Sequence, residues 1–162
     1  MDVRSDEEIR SDLSFLVDKA SEGLAARMAD ALAAIDLTAR EYCVLAKADS
    51  GELTQGQIAE IALLDKTTMV VTLDGLERAG LARRVPSPVD RRARLVVTTD
   101  EGRRVVGEAR VIIDALYADV LGVLAPSQRE SLLDALVRLV GRGGPLADVP
   151  PSAAKPRRST RS

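Results

Sequence analysis

The segment DKTTMVVTLDGLERAGLARRVPSPVDRRARLVVTTDEG, Asp65 to Gly102, leaves few folds open. Met69, Leu73 and Leu76 recur at helical spacing behind a candidate N-cap at Asp65. Gly80 follows, a residue able to take the left-handed conformation in which helices commonly end. Two short runs, 81–85 and 93–97, then flank PSPVD, whose Pro86 and Pro88 keep a hairpin tip open. Alternation puts Leu95 and Val97 on one face of the second strand and Arg92, Arg94 and Val96 on the other. A further short helix, Thr54 to Leu64, precedes this unit behind a Thr54/Gln57 capping box. The order helix, turn, helix, β-ribbon is that of a winged helix.

Longer helical patterns flank this unit. Ser5 and Glu8 form a capping box ahead of Ile9, Leu13, Leu16, Ala20, Leu24, Met28, Leu32 and Ile35, one apolar stripe along a single first helix. Thr38 and Glu41 repeat the box for a second helix that Gly51 closes. Thr98 and Glu101 are expected to cap a fifth helix with Val105, Ala109, Ile112, Leu116 and Val120 in register. Pro126 opens a sixth, carrying Leu132, Leu136 and Leu139 and stopping near Gly141. The expected class is mainly α with a small β-wing, in a body spanning 5–141: a winged lobe at 38–98, with flanking helices at 5–36 and 99–141. The flanking stripes carry more apolar surface than one small domain can cover, so Ile9, Leu13, Leu16, Ile112, Leu116, Val120, Leu132 and Leu136 are the expected dimerisation residues of a homodimer. Residues 143–162, rich in Pro, Gly, Ser and charge, read as a disordered basic tail.

Composition narrows the chemistry. Hydrophobic residues are 46% of the chain and aromatic ones 2%, namely Phe15, Tyr42 and Tyr117. The core is therefore aliphatic, and the stacking rings on which single-strand binders depend are missing. A single cysteine, Cys43, and no histidine argue against an internal disulfide, a Cys/His zinc site and histidine acid–base catalysis. With no glycine-rich phosphate loop and no nucleophile motif either, no enzyme, metal or cofactor is expected. Cys43 falls where the second helix should pack inward and reads as a core thiol. No uncharged run of membrane-spanning length occurs, and the acidic N-terminus is unlike a signal peptide, so a cytoplasmic protein without a membrane partner is expected.

The formal net charge of −2 conceals an asymmetry. Residues 1–36 hold nine acids against four bases, whereas 81–94 hold five arginines against Asp90 alone. Charge interactions fade beyond about 8–10 Å in physiological salt, so a locally basic patch can meet DNA phosphates on a protein acidic overall. At the start of the fourth helix Lys66, Thr67, Thr68, Val71 and Thr72 are expected to face outward. Free N–H groups there attract phosphate, and Thr or Val can meet a thymine methyl. Polar residues at a helix start are often simply solvated, and arginines around a turn are usually a wet hairpin. Their concentration side by side favours a nucleic-acid surface, since arginine enters narrow, electronegative minor grooves. Asp90 stands two residues before Arg92, placed to fix that side chain or to shape the turn. The candidate double-stranded DNA surface is completed by Gln55, Arg84, Ser87, Arg91 and Arg94.

The run from Leu37 to Gly102 resembles the multiple antibiotic resistance regulator (MarR) family of bacterial transcription factors, most specifically in DKTTMVVTLDGLERAGL, SPVDRRAR and TTDEG. The likeness in helix order extends over about residues 5–141. It implies a two-fold dimer intertwined through its first, fifth and sixth helices. It also implies that the helix matching Asp65 to Ala79 enters the major groove and that Arg92 enters the minor groove, oriented by Asp90. Such proteins are most often repressors, many of them released from a pseudo-palindromic operator by a small aromatic or phenolic ligand. Others sense oxidants through a cysteine in the first helix, which this chain lacks. The competing reading is a winged helix that docks on another protein, which an acidic or neutral wing would have favoured.

Overall fold

The computed structural model describes residues 12–49, 51–90 and 92–147. Ile9, the Ser5/Glu8 capping box, Arg91 and most of the basic tail lie outside them. Among these residues six α-helices and one β-ribbon follow in the order α1 Leu13–Ala33, α2 Ala39–Ala48, α3 Gln55–Ile61, α4 Lys66–Arg78, β1 Ala82–Pro86, β2 Arg94–Thr98, α5 Asp100–Val120 and α6 Pro126–Val140. The chain divides into two compact units at Val120/Leu121. No helix among the described residues is long and apolar enough to cross a membrane.

In the first unit α2 is the central element, touching α1, α3, α4, α5 and β2. Its start is set by the capping box expected there: Thr38 Oγ1 accepts from the Glu41 N–H at 3.2 Å, and Glu41 accepts from the Thr38 N–H at 2.9 Å. Val44, Leu45 and Ala48 are fully buried from α2, against Leu32, Ile58, Met69, Leu73, Leu76, Val96, Val106, Ala109 and Ile113. Cys43 is not among them. It is half-buried, because neighbouring Val44 and Leu45 take the inward face of the helix.

Two sequence expectations about element ends are corrected. The described part of the expected stripe outruns its helix: Asp12, with φ −105° and ψ 80°, accepts from the Phe15 N–H at 3.0 Å and caps α1, which ends at Ala33, before Ile35. An aspartate side chain competes with the helical ladder for nearby N–H groups, which makes it a start signal. The cap of α5 is Thr99, not Thr98: Thr99 Oγ1 accepts from the Gly102 N–H at 3.0 Å. Thr98 belongs to the inward face of β2 with Val96 and donates its hydroxyl to the Leu45 carbonyl at 3.2 Å. Leu95 and Val97, on the opposite face, are half-buried.

Gly102 explains why α5 approaches the wing so closely. A Cβ there would lie 2.0 Å from the Leu81 carbonyl oxygen and 2.7 Å from Thr98 Cγ2. Further along α5, Leu116 is already covered within its own chain at 8% exposure, while Ile112 and Val120 are half-buried. On α1, Leu13 is 69% exposed and Leu16 is also exposed. In the second unit Pro126 opens α6, the Ala125 N–H donates to Gln128 Oε1 at 2.9 Å, and Gly141 ends the helix. Leu132, Leu133, Leu136, Val137 and Val140 of α6 are all exposed.

Candidate nucleic-acid interface

The helix that carries the candidate contacts is set by Asp65. Its carboxylate accepts from the Thr68 N–H at 2.9 Å and from the Thr68 hydroxyl at 2.5 Å. Those bonds, the hydroxyl's first and the backbone N–H's second, hold the Asp65 carboxyl below its ordinary value. At the other end Gly80 adopts φ 72°. The Leu81 N–H then reaches the Leu76 carbonyl at 2.9 Å and the Gly80 N–H the Glu77 carbonyl at 3.0 Å, a Schellman closure that turns the chain into β1.

Between these caps α4 is two-sided. Met69, Thr72, Leu73 and Leu76 are buried, whereas Lys66, Thr67, Val70, Val71 and Asp74 are exposed, Val71 at 63%. Thr68 is half-buried. The outward placement expected of Thr72 is therefore corrected. It is 7% exposed, because it stands three residues after Met69 and four before Leu76, on the buried stripe, and its hydroxyl donates to the Thr68 carbonyl at 2.7 Å. The same spacing of three and four puts Val70 on the Thr67–Asp74 face, an exposed position absent from the expected DNA surface.

The wing is an antiparallel pair in the register Ala82↔Thr98 to Pro86↔Arg94. Its base is tied to the residues before α3 by an isolated bridge, Thr54↔Leu95, and by the Val96 N–H donating to the Leu53 carbonyl at 3.0 Å. Ser87 and Asp90 build the tip. Ser87 Oγ accepts from the N–H groups of Val89 and Asp90, both at 3.3 Å, and Asp90 Oδ1 accepts from the Arg92 N–H at 2.9 Å. Of the two roles open to Asp90, the geometry matches turn shaping through the Arg92 backbone. The side chains of Arg92 and Arg94 are exposed, and neither makes an ion pair among the described residues.

Arg84 differs from these. Its guanidinium donates to Asp74 Oδ1 at 2.7 Å, to Gln55 Oε1 at 3.2 Å and to Glu77 Oε2, while its backbone N–H donates to Glu77 Oε1 at 2.7 Å. The expectation that Arg84 offers a free charge to DNA is corrected accordingly, and Gln55 is committed to the same cluster through its side-chain oxygen. The carboxylates responsible, Asp74 and Glu77, are not among the expected site residues. Their spacing of three on α4 and the alternation of β1 were the available signals.

The MarR family model matches residues 35–93. Transcriptional regulator HosA of Escherichia coli O111:H- is 36% identical over 104 residues, covering 64% of this chain and 76% of that protein. The chain belongs to the MarR family. As a MarR-family transcriptional regulator it shares its fold with CouR of Rhodococcus jostii RHA1, solved bound to p-coumaroyl-CoA, at TM-score 0.72 and 28% identity over 80% of this chain and 92% of that one. The transcriptional repressor CouR bound to a 23-mer DNA duplex matches at TM-score 0.75 and 26% identity, over 85% of this chain and 97% of that one. The family match at residues 35–93 takes in α2, α3, α4, β1 and the wing tip, which carry the exposed α4 start and Arg92.

Proposed function

We propose that this regulator represses transcription as a homodimer on a pseudo-palindromic DNA operator, with α4 in the major groove and the wing in the minor groove. In this reading 38–98 is the DNA-binding lobe and the helices on either side serve dimerisation. The observation that carries it is the pairing, within one packed unit, of an exposed helix start (Lys66, Thr67, Val71) with unpaired wing arginines (Arg92, Arg94). A major groove about 12 Å wide admits a helix, and arginine suits a narrow minor groove. Lys66 and Arg94 are assigned to phosphates, Thr67, Thr68 and Val71 to base edges, and Arg92 to the minor groove. The repressor CouR, solved bound to a 23-mer DNA duplex, supports duplex DNA as the partner of this surface. The exposed leucines of α1 and those of α6 support a second copy of the chain as the partner that covers them. The p-coumaroyl-CoA bound by CouR, whose acyl group is a phenol, supports an aromatic or phenolic group in the effector.

The test is in vitro selection from a random duplex library, followed by competition between the enriched duplex and a shuffled one. An enriched, two-fold symmetric site that outcompetes its shuffled version is expected. Equal binding to both would leave a protein-docking winged helix as the better reading.

A further inference from the structure

Arg84 stands on β1, yet everything its side chain holds lies on other elements: Asp74 and Glu77 on α4, and Gln55 at the first position of α3. Its side chain is only 22% exposed, the most sheltered cation among the ion pairs of the described residues. Glu77 accepts from both the backbone N–H and the guanidinium of Arg84, so strand and side chain are fastened to the same carboxylate. The planar fork of arginine suits such a site, since it presents several donors in fixed directions, which the single ammonium of lysine cannot do. Main-chain hydrogen bonding holds the wing base from the other side, through Leu53 and Thr54. The tip, by contrast, is held by its own residues, Ser87 and Asp90.

Resting on the DNA-reading role proposed above, we propose that Arg84 is a positioning residue that sets the wing against α4, so that groove-reading helix and minor-groove arginine meet the duplex at a fixed separation, and that Arg84 itself touches no DNA. The two carboxylates make the idea testable by sign. Each is a negative charge near a polyanion, so on charge alone its removal should tighten binding to every duplex. If the carboxylates fix the wing through Arg84, their removal should instead weaken binding to the right sequence.

The experiment uses the full-length chain, wild type, Glu77→Gln, the milder Asp74→Asn and Arg84→Lys, on the in-vitro-selected duplex and its shuffled counterpart, with amide hydrogen exchange of residues 82–98 measured without DNA. Expected for Glu77→Gln is about a tenfold loss on the selected duplex, no loss on the shuffled one, and faster exchange in the wing than in α5. Asp74→Asn and Arg84→Lys should show the same pattern at smaller amplitude, which keeps the test alive if Glu77→Gln folds poorly. Tighter binding to both duplexes would make Arg84 a latent phosphate contact and overturn the proposal; so would equal weakening of both, or unchanged wing exchange in all three variants. If wild type enriches no duplex at all, the DNA-reading role falls, and the exchange data alone then decide whether Arg84 holds the wing.

Discussion

Glycine at two positions of α5 illustrates how one residue type serves opposite ends. Gly102 is buried with the Leu81 carbonyl where a Cβ would be, so Gly102→Ala must push backbone against backbone. A loss of about 3 kcal/mol in urea denaturation is expected, at the upper end of ordinary overpacking because no side chain can rotate away. Gly107, exposed in the middle of the same helix, has open space where a Cβ would stand, with nothing within 4 Å. There the same change should stabilise by about 0.5–1 kcal/mol through helix propensity and the entropy of the unfolded chain. Equal effects at the two sites would show that the approach of α5 to Leu81 is not tight. Among arginines the same contrast holds for DNA. Arg92 is free on the wing, whereas Arg103 donates to the Thr98 carbonyl at 2.8 Å and pairs with Asp100 at the start of α5. Arg92→Ala should weaken binding to the selected duplex and lower the salt slope by about one, with Arg103→Ala close to wild type. Indistinguishable titrations at several salt concentrations would remove the wing from the interface.

Elements are tied to this chemistry through their caps, and the cap of α4 is titratable. The Asp65 carboxyl is held below its ordinary value by Thr68, so its stabilisation is fully present above the unfolded value of 3.8 and is lost as pH falls through the lowered folded one. Glu101, held low by Arg104, contributes in the same direction. The measurement that isolates Asp65 is therefore the difference in Tm between wild type and Asp65→Asn: constant near neutrality and shrinking below about pH 4, because the amide can cap but cannot titrate. A difference that stays constant to acid pH would mean that the carboxylate charge adds nothing at this helix start. Caps are also the most legible part of the sequence. Thr38/Glu41, Thr54/Gln57, Asp65 and Gly80 all stand where local hydrogen bonding places them. What escapes depends on packing direction: Thr98 reads as a cap because it precedes Glu101 by three, but strand alternation from Val96 carries it into the core, leaving Thr99 to cap. The candidate surface divides the same way. Exposure of Lys66, Thr67 and Val71 follows from helical period, whereas for the capture of Arg84 by Asp74 and Glu77 the helical spacing and the strand alternation give only the two faces, and their meeting needs the hairpin folded against α4.

For the whole molecule the question is what covers the apolar residues that the single chain leaves in water. Leu13 and Leu16 on α1, and Leu132 and Leu136 on α6, are exposed within their respective units, while Leu116 is not. That difference separates two substitutions which the sequence alone treats alike. Leu13→Asp puts a charge on a surface left exposed within its own unit, and with a second copy as its proposed cover it should leave the helical circular dichroism intact while lowering the mass in light scattering from twice the 17.3 kDa chain towards a single copy. Leu116→Asp buries a carboxylate in the chain's own packing and should lose helicity and solubility first. The proposed dimer also bears on DNA geometry. A two-fold pair must present both α4 helices to one face of the duplex, so the half-sites should be centred about 10 base pairs apart or a multiple of that spacing, and inserting about 5 base pairs between them should abolish tight binding without altering either half-site. Folded wild type that scatters as a single chain at micromolar concentration, or a selected site indifferent to that insertion, would contradict the dimer and leave the exposed leucines to another partner.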